Sequence, residues 1–302
     1  MKIHYLNHSE IDFNKWDDCI SKSLNGIVYA YSWYLNIMAS KWDALIADDY
    51  RIVFPLTKRK KYGIEYLYQP LFTQQLGIFS PTLINQHTIQ EFIESIPPKF
   101  KYQEINFNTF NTIDSSLGRT YERVTYRLDL IQPYINLSSH YSENTKRNIS
   151  RALAFGVNVK NGYSANDFIR FYKANLNVKL KNEDFNNLQK IISIALEKRI
   201  GDIYLAYTKD NILCAAAFFI RSNEKVIYLA AVSSEVGKSD RAMFLLIDQF
   251  IHINSEAHLT LDFEGSNNEG IARFYASFGA DRCIYKQLKR NKLPWFLKAL
   301  KK

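Results

Sequence analysis

The chain has 302 residues, enough for a substantial core and more comfortably two domains than one. Hydrophobic residues make up 47% and charged residues 23%, which excludes a disordered chain or a fibrous repeat. The net charge of +9 favours anionic partners without specifying a fold, and its densest source is residues 283–302, with seven Lys/Arg and no acid.

Cys19, Cys214 and Cys283 are few, scattered and odd in number. They argue against a disulfide framework and for a reducing cytoplasm, the expected location. No Cys/His cluster has metal-ligand spacing, so no metal is expected. The amino-terminal run MKIHYLNHSEIDF lacks the apolar centre of a secretion signal, and the longest apolar run, ILCAAAFFI, is too short for a bilayer. No integral membrane segment is therefore expected.

In the first half, ALIADD, YRIVFPL, IEYLYQP and QEINFNTF read as strands, alternating with helical patterns near 11–21, 31–40 and 88–95. Pro97 and Pro98 close the last helix. The basic run at 58–61 reads as a hairpin tip. The amides Gln69, Gln74 and Gln75 sit among Tyr68, Phe72 and Phe79 and must find partners if buried, either nearby backbone or a substrate.

A second unit begins at the strand-like RVTYRLDL. The helix in SENTKRNISRALAFG stops at Gly156 and carries Lys146, Arg147 and Arg151, either a solvated face or an anion-binding one. A helix capped by Ser164 follows, then an apolar helical stripe from Phe185 to Leu196. DIYLAYT, ILCAAAFFI and KVIYLAAV read as three strands joined by the turns KDN and RSNE. RAMFLLIDQFIHI is apolar nearly all round, as in a buried helix, and LTLDF, GIARFYASFG and CIYKQLK end the run as strand, helix, strand.

Asp262 and Glu264 are two apart in the expected strand, so both side chains project from one face. If that face lines a cleft, crowding leaves one of them a base, Glu264 being nearer the strand end. If not, they are surface acids. Tyr275 is either a proton donor or an aromatic core residue beside Phe274 and Phe278.

This order of elements, with Asn268, Tyr275 and Gly279 at spacings of seven and four, resembles the GNAT N-acyltransferase fold. A phenylalanine common after the glycine is here Ala280. DFEGS with GIARFYASFGA, VFPLTKRKKYG with YLYQPLFTQQLGIFS, and NTKRNISRALAFGVNV are similar to segments of the Fem-type peptidoglycan aminoacyltransferases. The resemblance implies an α+β protein of two tandem GNAT-like units, each a mostly antiparallel twisted sheet flanked by helices. The units would span 1–122 and 123–290, with a basic amphipathic tail at 291–302.

The activity it implies is transfer of an acyl or aminoacyl group to an amine, with an envelope precursor or nucleotide sugar as acceptor. Tyr275 would protonate the leaving group, and Glu264 or Asp262 would act as base. An acyl-coenzyme A donor would lie along Val232, Ser233, Gly237, Lys238 and Asn268, although the doubled glycine of the usual phosphate turn is missing. Aminoacyl-tRNA is the donor that Fem-type enzymes use, yet no coiled-coil arm interrupts this chain. Gln69, Gln74, Gln75, Lys146, Arg147 and Arg151 would contact substrate. The alternative is a non-catalytic GNAT-like module that holds an anionic partner, whether envelope precursor, membrane surface or RNA, through its basic helix and tail.

Overall fold

A computed structural model describes residues 1–265 and 268–294. Ser266, Asn267 and the tail expected from sequence, from Trp295 on, lie outside the described residues. The chain divides into two compact units, Met1–Val124 together with the chain from Ile284 on, and Thr125–Cys283.

The first unit runs β1 (Ile3–Leu6), α1 (Phe13–Lys22), α2 (Ser32–Met38), β2 (Asp43–Ala47), β3 (Ile52–Leu56), β4 (Lys58–Lys61), β5 (Ile64–Leu67), α3 (Gln86–Glu94), β6 (Tyr102–Asn106) and the start of β7 (Arg119–Asp129). Strands β1, β2 and β3 form a small antiparallel sheet. The core packs Leu45, Phe54, Leu67, Phe92, Phe107 and Leu288 together. The basic run at 58–61 is not a hairpin tip but strand β4, paired residue for residue with β5. The tip is Tyr62–Gly63, both at positive φ, the backbone that a tight hairpin turn requires. Lys58 is drawn out of solvent by the buried Asp43 carboxylate, 2.6 Å away.

The second unit contains the end of β7, α4 (Tyr134–Ser139), α5 (Glu143–Ala154), β8 (Asn158–Gly162), α6 (Ala165–Asn175), α7 (Asn182–Glu197), β9 (Gly201–Tyr207), β10 (Leu213–Ser222), β11 (Lys225–Ser233), α8 (Glu235–Ser239), α9 (Ala242–Asn254), β12 (Thr260–Asp262), α10 (Glu269–Ala276) and the start of β13 (Asp281–Asn291). Its strands lie in the order β7-β12-β11-β10-β9-β8, antiparallel except for the β11–β12 pair. Sequence order placed all of β13 up to residue 290 here, but its residues from Ile284 on group with the first unit, where Gln287 pairs opposite Asn106 of β6.

Strand β10 is almost continuously apolar because both of its faces are covered. Phe218 meets Phe168 of α6 on one face, and Phe219 stacks on Phe250 of α9 on the other, ring centroids 3.7 Å apart. Among the described residues no helix is long and apolar enough to cross a membrane.

The α9 helix carries a buried acid, Asp248, that accepts a 2.7 Å hydrogen bond from the Tyr134 hydroxyl. Burial pushes its carboxyl above the ordinary range, although Tyr134 and nearby His252 pull the other way. A raised folded-state pKa favours folding while the acid is protonated, and that contribution disappears as pH rises from the ordinary carboxylate range through the folded value. Asp248→Asn is expected to flatten this part of the stability profile, measured as urea midpoints from pH 4 to 8. An unchanged slope would show that Asp248 does not set it.

A candidate active site where two strands part

Strands β11 and β12 run parallel and pair only from Lys225–Thr260 to Ile227–Asp262. There β12 ends, while β11 continues to Ser233 with β10 on its other side. The β10–β11 register shifts at this point, so that Phe218 faces Ala230, Phe219 faces Tyr228, and Leu229 has no opposite number. Such a bulge sharpens the local twist and re-aims nearby side chains. Residues 228–233, including the expected donor contacts Val232 and Ser233, therefore lie past the end of the β11–β12 pairing, with Tyr228, Leu229, Ala230 and Val232 buried.

Aromatic rings gather past the end of β12. Tyr275 stacks on Phe263 at 5.2 Å and meets Tyr228 at 6.0 Å and Tyr126 at 6.4 Å. Phe274 of α10 packs on Phe244 of α9 at 4.9 Å, and Phe278, past the end of α10, is fully buried. Tyr275 is partly buried like Phe274, and its ring contacts fit an aromatic core residue as well as a proton donor.

Tyr172, which sequence reading did not single out, belongs to the same group. It stands on the buried stripe of α6, where apolar periodicity makes it look like any core aromatic. Burial and the Glu264 carboxylate push its phenol up to about 12. Burial, Glu264 and Tyr172 likewise raise the Tyr275 phenol, and burial with both phenols raises that of Tyr228. The Tyr228 hydroxyl donates to Met243 Sδ at 3.0 Å.

The two acids do not share a strand face as expected. Strand β12 stops at Asp262, and Glu264 has φ +57°, a left-handed backbone that breaks the alternation. Asp262 is buried and fully engaged: its carboxylate accepts from Thr125 Oγ1, from Arg127 Nε at 2.9 Å and from the Glu264 N–H at 2.9 Å. Beside it, burial and the Arg127 guanidinium pull the Lys225 ammonium down to about 8.

The expected donor turn is occupied by its own contacts. Gly237 lies in the short α8, where its N–H donates to the Ser234 hydroxyl and an added β-carbon would collide with the Cys214 backbone. Lys238 makes an exposed ion pair with Glu235, three residues before it on α8, at 2.6 Å. Asn268 caps α10, its side-chain oxygen accepting from the N–H groups of Gly270 and Ile271.

The expected substrate contacts separate into two groups. In the first unit, Gln69 is bound to backbone at both ends, donating to the Thr73 carbonyl and accepting from the Asn106 N–H. Gln75 is buried and donates to the side-chain oxygen of Gln74, while its own Oε1 has no hydrogen-bond partner among the described residues. In the second unit, Arg147 and Arg151 are exposed on α5, and Lys146 is held by Glu143 and the Ser139 carbonyl. A groove of about 610 Å³ beside β8, lined by Tyr163, Phe171, Leu205 and Tyr207 among others, includes none of these residues.

Among solved structures, FemX matches over 100% of both chains with a TM-score of 0.70 at 12% identity. The chain has the fold of FemX. A protein of unknown function from Bacteroides thetaiotaomicron VPI-5482 matches with a TM-score of 0.60 at 10% identity, over 92% of this chain and 97% of that one. The C-terminal DUF2156 domain of a protein described as a lysylphosphatidylglycerol synthetase, from Agrobacterium fabrum, matches at 0.56 and 9% identity, over 92% and 91%. No protein-family model and no curated protein matches the chain. The mixed α+β, GNAT-like architecture expected from the order of elements is the one observed.

Proposed function

We propose that the protein is a Fem-type N-acyltransferase that moves an aminoacyl or acyl group onto an amine, with its reaction centre where β11 parts from β12. The observation that carries this reading is the left-handed turn that takes Glu264 out of the β12 alternation directly after Phe263, the ring on which Tyr275 stacks. In the proposed step the acceptor nitrogen attacks the donor carbonyl carbon. A C–N bond forms, the bond to the donor oxygen or sulfur breaks, and Glu264 takes the proton lost by nitrogen. Tyr275, a phenol protonated at neutral pH, gives a proton to the leaving atom.

Between the two donor classes, the internal contacts of Gly237 and Lys238 favour an aminoacyl ester such as aminoacyl-tRNA over acyl-coenzyme A. An envelope precursor or nucleotide sugar in the cytoplasm would supply the amine. A thermal-shift series with coenzyme A, acetyl-coenzyme A and a non-hydrolysable aminoacyl-adenosine is expected to raise the melting temperature only with the last. A shift with coenzyme A would reverse the donor assignment.

A second reading, a binding module for an anionic partner, rests on the exposure of Arg147 and Arg151 one turn apart on α5. It predicts association with RNA or anionic vesicles that weakens with salt and is lost in Arg147→Glu/Arg151→Glu. That double variant should change stability by no more than about 0.5 kcal/mol. Association indifferent to salt would reject the module.

A further inference from the structure

Strand β12 is three residues long, yet its last side chain makes more hydrogen bonds than its length requires. Asp262 is 1% exposed, and its contacts run in two directions. Backward, the carboxylate is clamped to the neighbouring strand β7 by Thr125 Oγ1 and by Arg127, the residue opposite it in the register. Forward, it reaches over one residue and accepts the Glu264 N–H at 2.9 Å, an aspartate-type turn.

Glu264 needs that restraint. A left-handed φ costs a residue with a β-carbon roughly 1–2 kcal/mol, and it persists only where the surroundings enforce it. Here both backbone groups are bound, the N–H to Asp262 and the carbonyl to the Tyr126 N–H at 3.3 Å. In a regular strand the Glu264 side chain would leave from the same face as that of Asp262, where Thr125 and Arg127 lie. The kink takes it out of that alternation.

We infer that Asp262 is the positioning residue of this site, holding Glu264 in its left-handed turn and so directing its side chain away from the face that Thr125 and Arg127 occupy. The inference rests on the reaction centre proposed above for its catalytic meaning, but its geometry is testable alone. Asp262 takes no proton and touches no substrate. It acts through Glu264, with Thr125 and Arg127 holding it from behind.

The experiment is a titration of ring-labelled tyrosines by NMR, with the signals assigned through Tyr172→Phe and Tyr275→Phe. Asp262→Ala, which removes the oxygen that accepts the Glu264 N–H, and Glu264→Gln are each expected to lower the raised Tyr172 midpoint, because the first releases the Glu264 carboxylate and the second removes it. Adding Asp262→Ala to Glu264→Gln should lower it no further. A Tyr172 midpoint that stays at the wild-type value in Asp262→Ala, or that falls again in the double variant, overturns the inference.

Thr125→Val, which removes one clamp and keeps the side-chain volume, serves should Asp262→Ala fail to fold. It should give a smaller fall in the same direction, and an unchanged midpoint would count against the inference. In a transfer assay, Asp262→Ala should lower kcat about 100-fold with KM unchanged, the order expected when a reacting group is displaced by about an ångström. That loss should vanish in the Glu264→Gln background. Absence of transfer in the wild-type protein would refute the proposed function while leaving the titration result to stand.

Discussion

Exchange of Glu264 for Gln is expected to reduce the rate of acyl transfer by about 10²- to 10⁴-fold, the range set by loss of a general acid or base. Gln keeps the shape and the left-handed backbone but can neither take the acceptor proton nor act by charge on the phenols of Tyr172 and Tyr275. Tyr275→Phe should cost a similar factor, because it keeps the ring contacts to Phe263, Tyr228 and Tyr126 and removes only the hydroxyl. Both losses belong in kcat with KM little changed, since each group is needed for the transition state more than for binding. The double variant should fall short of the product of the two factors, because base and acid serve one step. Wild-type turnover in Tyr275→Phe, measured by release of the leaving group, would return Tyr275 to the aromatic core.

Replacement of Gly237 by Ala is the change expected to cost most in stability, about 3 kcal/mol at the upper end for overpacking. An added β-carbon would stand 2.0 Å from the Cys214 carbonyl oxygen and 2.8 Å from its carbonyl carbon, so the obstruction is backbone and not a movable side-chain end. The same carbonyl accepts from the Ser234 N–H at 2.9 Å, which ties the start of α8 to β10. Shifting Gly237 therefore disturbs both elements at once. Chemical denaturation reads the loss directly. A glycine present only to admit a phosphate would show the reverse, wild-type stability in Gly237→Ala with binding lost.

The second unit was legible in the sequence wherever burial imposes a period. The stripe Phe185, Leu188, Ile191, Ile192 and Ala195 faces the core of α7 as its spacing predicts, and the run ILCAAAFFI lies in β10. Gly156 ends α5 with φ +74°, the backbone its position called for. Strand β8 was missed because its residues NVKNG are mostly exposed and carry no alternation. The basic run of β4 was misread for a similar reason: lysines on an edge strand give no apolar signal, although they suit a strand that must not recruit another.

The site was less legible than the fold. Spacing alone brought Tyr275 and Glu264 forward, but the equal weight given to Asp262 assumed a strand that continues past it. Only the left-handed turn at Glu264 separates the acid clamped by Thr125 and Arg127 from the acid at the opening. Tyr172 was hidden because a phenol on a buried helical stripe carries no sequence mark of its role. Its place depends on a contact across about ninety residues of chain, which periodicity does not report.

A crystal structure with a non-hydrolysable aminoacyl-adenosine tests the reaction centre most directly. The account predicts ligand density in the opening between residues 228–233 of β11 and Glu264, with the aminoacyl carbonyl carbon within reach of both the Glu264 carboxylate and the Tyr275 hydroxyl. Density confined to another surface, such as the groove beside β8, with the opening unoccupied at saturating ligand, would contradict it.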